Sequence, residues 1–238
     1  SYSNPGGTLL TLERRLRLLE LAVRHRFHIL EDDPYSRIHF DLPPPPSLLS
    51  LTARVPGSRQ WVVHVSSLSK LVAPALRVGW IIPPPDQLRP FVLAKQSSDI
   101  HSAIPTQCAL EHYWASGRFE AHIPAIRQSY RERAMAMAQS LSLELGERAT
   151  FGPPRGGMFI WVRVPGITDT RDLVEPARRE KVFFVPGVAF YPNAADTRTL
   201  RLSFATTPVT DIAEGVRRLG RAIEACATGE PAGEPVAT

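Results

Sequence analysis

The sequence predicts an α/β region followed by a smaller α+β region. Three observations carry this reading. Residues 27–30, 61–65 and 78–82 form three short apolar runs separated by helix or loop sequence, the pattern of buried, mostly parallel strands. The first two runs stop at dense polar clusters, Glu31-Asp32-Asp33 and Ser66-Ser67-Leu68-Ser69-Lys70. After a long helical stretch, strand-like runs return at 158–164, 182–185 and 200–204.

The elements follow in order. Leu12, Leu16, Leu19, Val23 and Phe27 fall at helical spacing behind Thr11, a hydroxyl residue suited to the N-cap. The three runs come next, the third ended by Pro83-Pro84-Pro85. Residues 87–117 read as helix with a break near 101–105, and a long helix with Pro124 near its start runs to about Gly146. A short helix at 172–180 lies between the first two later strands. Thr207-Pro208 opens a last helix with Val209, Ile212, Val216, Leu219 and Ile223 on one face. The expected division is 1–115 and 116–228, with 229–238 a disordered tail. Asn4-Pro5-Gly6-Gly7 reads as a turn leaving an earlier strand, so a segment of a longer protein is expected.

Composition removes several classes. Of 238 residues, 43% are hydrophobic and 21% charged, enough to bury a core and too apolar for a disordered chain. Cys108 and Cys226 are the only cysteines, which excludes a disulfide scaffold or a cysteine-built zinc site. No apolar run reaches the length of a membrane span, no secretory signal is expected, and a cytoplasmic location follows. The net charge is 28 − 23 = +5. Arg14, Arg15, Arg17, Arg178 and Arg179 are interleaved with Glu13, Glu20, Glu175 and Glu180, which reads as solvated mixed-sign helix faces and not as a stripe for nucleic acid. His25 and His28 lack companions for a metal, and no metal site is expected.

Ligands of open α/β sheets gather at the carboxyl ends of strands. Asp32, Asp33 and Tyr35 stand at one such end, and Ser67, Ser69 and Lys70 at the next, with Arg77 seven residues on. Two hydroxyls and a guanidinium suit a phosphate dianion. A lysine desolvated beside them can form a Schiff base; a lone loop lysine is solvated. The chain has only three lysines. Lys95 lies within a helix and Lys181 ends one, so both read as surface groups. Asp32 is either a turn cap or the partner of a charged ring nitrogen, and Asp33 suits the turn better. Tyr35 is either a hydrogen-bond donor or a packing residue, and Asn4 either a ligand or an Asx turn. Arg201, alternating with leucines in Leu200-Arg201-Leu202, either clamps a carboxylate or faces solvent.

Taken together, several stretches resemble the class I/II, fold-type I pyridoxal-phosphate aminotransferases, and within them the 2-aminoadipate or multi-substrate branch, which is also found fused to regulators of the GntR type. They are Asn4-Pro5-Gly6-Gly7, Glu31-Asp32-Asp33-Pro34-Tyr35, the Ser67-Leu68-Ser69-Lys70 segment with Arg77-Val78-Gly79, Arg155-Gly156-Gly157-Met158-Phe159, Val185-Pro186-Gly187 and Leu200-Arg201-Leu202-Ser203-Phe204. Gly6 stands where the family commonly has threonine. The resemblance implies a three-layer α/β/α large domain, of which 1–115 would be the C-terminal part, and a small α+β domain. It implies an aminotransferase that uses pyridoxal 5′-phosphate on amino acid and 2-oxo acid substrates. Lys70 would hold the cofactor as a Schiff base, with Asp32 on the ring nitrogen and Asn4 and Tyr35 at the phenolic oxygen. Ser67, Ser69 and Arg77 would bind the phosphate, and Arg201 the substrate carboxylate. A homodimer is implied, with residues 95–102 near its interface. The resemblance leaves two alternatives: a sensor domain, with nucleic acid a partner only if a winged helix is fused upstream, and a β-eliminating C–S lyase.

Overall fold

The structure is a computed structural model, and it describes residues 1–228; the expected tail at 229–238 lies outside them. The chain divides into two compact units. Among the described residues, the first holds 1–3 and 8–128, the second 4–7 and 129–228.

In the first unit, α1 (Leu12–His25) starts where Thr11 accepts a hydrogen bond from the Arg14 N–H at 3.3 Å, the expected cap. Strand β1 (Ile29–Asp32) follows, then the single turn α2 (Leu48–Leu51), β2 (Val62–Ser67) and β3 (Gly79–Ile82). β1 and β2 pair in parallel, with Asp32 opposite Val65, whereas β3 is antiparallel to β2, with Gly79 opposite Ser67. The helical stretch breaks where expected, into α3 (Leu88–Asp99) and α4 (Ile104–Ala115), and α5 (Arg118–Leu145) carries the chain into the second unit.

The core of this unit joins Leu19 and Ala22 of α1, Leu48 and Leu51 of α2, Ile29 of β1 and Val62 of β2. Each large side chain so buried contributes about 1.5–3 kcal/mol. Every residue of β3 is exposed, as is Leu30 of β1, and only Ile29 and Glu31 of β1 point into the core. One expectation is corrected here. Arg15 is not a solvated helix arginine. It is 3% exposed, donates to the Leu10 and Pro46 carbonyls, and lies 3.5 Å from the Glu31 carboxylate. A period-3.6 pattern assigns the inner face of α1 to apolar residues alone, and a buried ion pair is invisible to it.

The second unit is built on an antiparallel sheet of β4 (Thr150–Phe151), β5 (Phe159–Arg163), β6 (Val185–Pro186) and β7 (Thr199–Ser203), ordered β4-β5-β7-β6. Ile160 and Val162 of β5 and Leu200 and Leu202 of β7 are buried on one face, so both strands show the period-2 pattern of a half-covered sheet. α6 (Val174–Arg179) precedes β6. The long α7 (Val209–Thr228) buries Ile212, Val216, Leu219 and Ile223 of the predicted stripe and leaves Val209, at its first position, exposed. At Gly187 the turn after β6 runs against β7: a Cβ there would sit 2.0 Å from Thr199 Oγ1 and 2.6 Å from its carbonyl oxygen, so only hydrogen fits.

Candidate active site

Because β1 and β2 are parallel, their carboxyl ends share one edge of the sheet. Asp32 ends β1 and Ser67 ends β2. β2 leads into a tight turn in which Leu71 and Val72 N–H donate to the Leu68 carbonyl, and Ser69 and Lys70 ride on it. The Leu68 N–H donates to the Val78 carbonyl, which closes residues 68–78 into a loop and returns Arg77 to the turn's base. Arg77 has a left-handed backbone, φ 54°, uncommon for a residue with a side chain and a conformation that clusters at functional sites. Gly79 makes the return possible, since a Cβ there would lie 2.9 Å from the Ser66 carbonyl oxygen.

Ser67, Ser69 and Arg77 line one open cavity of about 840 Å³, together with Trp80, Lys95 and His101. Two hydroxyls and a guanidinium around a cavity fit a phosphate group in donor number and charge. Lys70 is half-buried and is not among the cavity's walls, nor is Asp32. Of the other lysines, Lys181 is exposed as expected, and Lys95, also exposed and bound to Asp99 at 2.5 and 2.6 Å, stands in the cavity wall beside the residues it was expected to lie apart from.

The two neighbouring aspartates separate. Asp32 is exposed on the open face of β1. Asp33, expected as a turn residue, is 6% exposed; its N–H donates to the Val65 carbonyl and its carbonyl accepts from the Ser66 hydroxyl at 2.9 Å. The ladder thus runs one residue beyond β1, and the turn begins at Pro34. Tyr35 is buried, and its carbonyl accepts from the Ile38 N–H.

Behind Asp32, sequence reasoning missed a buried polar network. The Glu31 carboxylate accepts from the N–H groups of Leu48 at 2.6 Å and Leu49 at 3.1 Å, and pairs with His64 Nδ1 at 2.9 Å. Burial alone would raise the Glu31 pKa, but the hydrogen bonds from His64, Leu48 and Leu49 outweigh it and hold the carboxyl below its ordinary range. The hydrogen bond to Glu31 pushes His64 up, against its burial. The β1–β2 register sets Glu31 directly opposite His64, a signal available only once the pairing is known.

In the second unit, Arg201 and Asn4 come together across 197 positions of sequence: Arg201 Nη1 donates to Asn4 Oδ1 at 2.7 Å. The Arg201 guanidinium also lies over the Phe159 ring at 4.2 Å and the Phe190 ring at 4.9 Å. The solvated alternative for Arg201 therefore fails; its head group is engaged on several sides.

Comparisons with known proteins identify the family. A family model described as aminotransferase class I and II matches residues 1–219. The 2-aminoadipate transaminase of Thermus thermophilus is 38% identical over 226 residues, 94% of this chain and 56% of that protein. The aromatic-amino-acid aminotransferase 1 of Thermococcus litoralis is 33% identical, over 94% of this chain and 52% of its own length. The crystal structure of an α-aminoadipate aminotransferase from Thermus thermophilus, complexed with N-(5′-phosphopyridoxyl)-L-leucine, superposes with a TM-score of 0.90 at 36% identity, covering 96% of this chain and 58% of that one. The chain spans about half the length of the relatives it matches.

Proposed function

The chain belongs to the class I and II aminotransferases and has their fold-type I architecture, and on that premise we propose that the protein moves an amino group between an amino acid and a 2-oxo acid, using pyridoxal 5′-phosphate. The observation that carries this reading is the convergence of Ser67, Ser69 and Arg77 on one cavity, on the loop that also bears Lys70. When bound, the cofactor supplies an electron sink that makes the substrate Cα–H acidic.

The residues of the chain divide the remaining work. Ser67 and Ser69 would donate hydroxyl hydrogens to the phosphate, and Arg77 would neutralise its charge. The Asp32 carboxylate would keep a proton on the ring nitrogen. Asn4 and Tyr35 would each be hydrogen-bonding candidates for the phenolic oxygen. The Lys70 amine would hold the cofactor and serve as the general base for the Cα proton. Arg201 takes the α-carboxylate that amino acid and 2-oxo acid have in common. The reading extends to a cytoplasmic homodimer; the exposed Leu88, Val92 and Leu93 of α3 and the exposed Ile100 support an association surface.

The test is chemical. Borohydride reduction of the cofactor-loaded protein, followed by peptide mapping, should place the label on Lys70, and Lys70→Ala should remove the visible absorption. A label on Lys95 or Lys181 would overturn the assignment.

A further inference from the structure

We infer that Phe159 and Phe190 are positioning residues that fix the plane of the Arg201 guanidinium for carboxylate capture. This rests on the reading of Arg201 as the carboxylate-binding residue.

The argument starts from the geometry of a guanidinium. Its hydrogen bonds lie in its own plane, and its two faces offer no hydrogen to an acceptor. The Arg201 Cζ stands over both rings, 4.2 Å from the Phe159 centroid and 4.9 Å from the Phe190 centroid. Rings at this distance restrain tilt through cation–π attraction and do not compete for in-plane acceptors. Asn4 adds one in-plane contact, at Nη1. A bidentate carboxylate needs two parallel N–H···O bonds, so tilt of the plane weakens both at once.

The rings are themselves held. Phe159 begins β5 and pairs with Ser203 of β7, two residues from Arg201; Trp161, the next residue on that face, pairs with Arg201 directly. Phe190 closes the turn Gly187–Phe190 and meets Trp161 edge-on, with centroids 5.7 Å apart at 86°. Tyr191 extends the cluster, 6.2 Å from Trp161. Both phenylalanines are half-buried on the face of the sheet opposite Leu200 and Leu202. They therefore cover little of the unit's apolar core, and both meet the guanidinium.

The experiment compares Phe159→Leu, Phe190→Leu and Phe190→Tyr with Arg201→Ala in the full protein. Two quantities are read: the KM and kcat of transamination for several amino acids, and the binding of propionate and propionamide to the cofactor-free protein by ligand-observed NMR. Each leucine variant should raise KM roughly three- to ten-fold for every amino acid, with the smaller effect on kcat. Propionate binding should weaken by a similar factor and propionamide binding should not change. Phe190→Tyr, which keeps the π face, should behave as wild type, and thermal midpoints will identify a variant that fails by unfolding. If the leucine variants match wild type while Arg201→Ala is impaired, the inference is overturned and the role of Arg201 stands. If Phe190→Tyr loses as much as Phe190→Leu, the aromatic face is not the cause and the inference is likewise overturned. If Arg201→Ala itself binds propionate and turns over normally, the underlying reading of Arg201 fails.

Discussion

The two units differ in one charged feature: the first, which also has surface pairs such as Lys95 with Asp99, buries an acid–arginine pair. In the first, Glu31 is buried together with Arg15, beside a His64 side chain that is only 12% exposed, and its hydrogen bonds reach α2 and β2. In the second, acids and arginines meet at the surface, as in Arg163 with Asp196, Arg178 with Glu175 and Arg221 with Glu180. Another guanidinium on its sheet, Arg201, is faced by rings and an amide. A carboxylate beside a buried arginine is structural, because removing it strands a charge away from water. A surface carboxylate has water as its substitute. Nothing in the count of ion pairs distinguishes the two cases; burial does.

The largest test of this contrast is Glu31→Leu. It leaves Arg15 buried and takes the acceptor from two α2 N–H groups, so it should cost about 3–5 kcal/mol in chemical denaturation. A loss below about 1 kcal/mol would dissolve the contrast. Pairing it with Arg15→Met should recover part of the loss, because the stranded charge is gone.

The next test separates neighbours on one strand. Asp32→Asn should lower the specificity constant roughly 10- to 100-fold, the scale of a charge-assisted hydrogen bond, with stability nearly unchanged. Asp33→Asn should do the reverse and show its effect in unfolding, because Asp33 is the buried one of the pair. Steady-state kinetics and denaturation of both variants decide it. A greater kinetic loss in Asp33→Asn would reverse the assignment.

A smaller effect depends on pH. The folded pKa of His64 is raised, so its contribution is full below the unfolded value of 6.5 and is lost as pH rises through the folded pKa. Glu31 is lowered, so its contribution is full above the unfolded value of 4.5 and is lost as pH falls through its folded pKa. Stability from this pair should therefore peak between about 4.5 and 6.5 and decline on the alkaline side. Unfolding measured from about pH 5 to 9 should lose that alkaline decline in His64→Gln.

The smallest effect belongs to the second unit. Arg163 and Arg198 hold the Asp196 carboxyl down to about 2. Its contribution is present above the unfolded value of 3.8 and falls away toward about pH 2. These groups are partly exposed, so solvent screens the pair, and Asp196→Ala should cost at most about 1 kcal/mol, less in high salt. A larger loss in the thermal midpoint would mean that this surface pair acts as the buried one does.

What the sequence revealed followed from local pattern. The stripe of α7, the Thr11 cap and the break between α3 and α4 rest on neighbours within a few positions, and chain chemistry alone locates them. The polar residues at the ends of β1 and β2 were legible for the same reason, and so was the crowding of Ser67, Ser69 and Arg77. The missed features all depend on partners far along the chain. Arg15 and Glu31 are 16 residues apart, Glu31 and His64 meet only through strand register, and Phe190 reaches Arg201 through a turn set by Gly187. Asp33 defeats a local reading because Asp-Pro favours a turn, whereas the β2 backbone extends the ladder one residue further. β4, with two residues, and α2, with four, are too short for any periodicity to announce.

Gly187 has a consequence for the genetics of such a chain. With its missing Cβ 2.0 Å from Thr199, no other amino acid fits without prising β6 from β7, and β7 carries Arg201 two positions after Thr199. In a saturation mutagenesis screen scored by growth, every allele at this codon should fail, with a phenotype like that of a lost substrate contact. Yet the residue has no side chain to offer a substrate. Intolerance to substitution would here map the spacing between two backbones, and a catalytic inventory drawn from such a screen would count one residue too many.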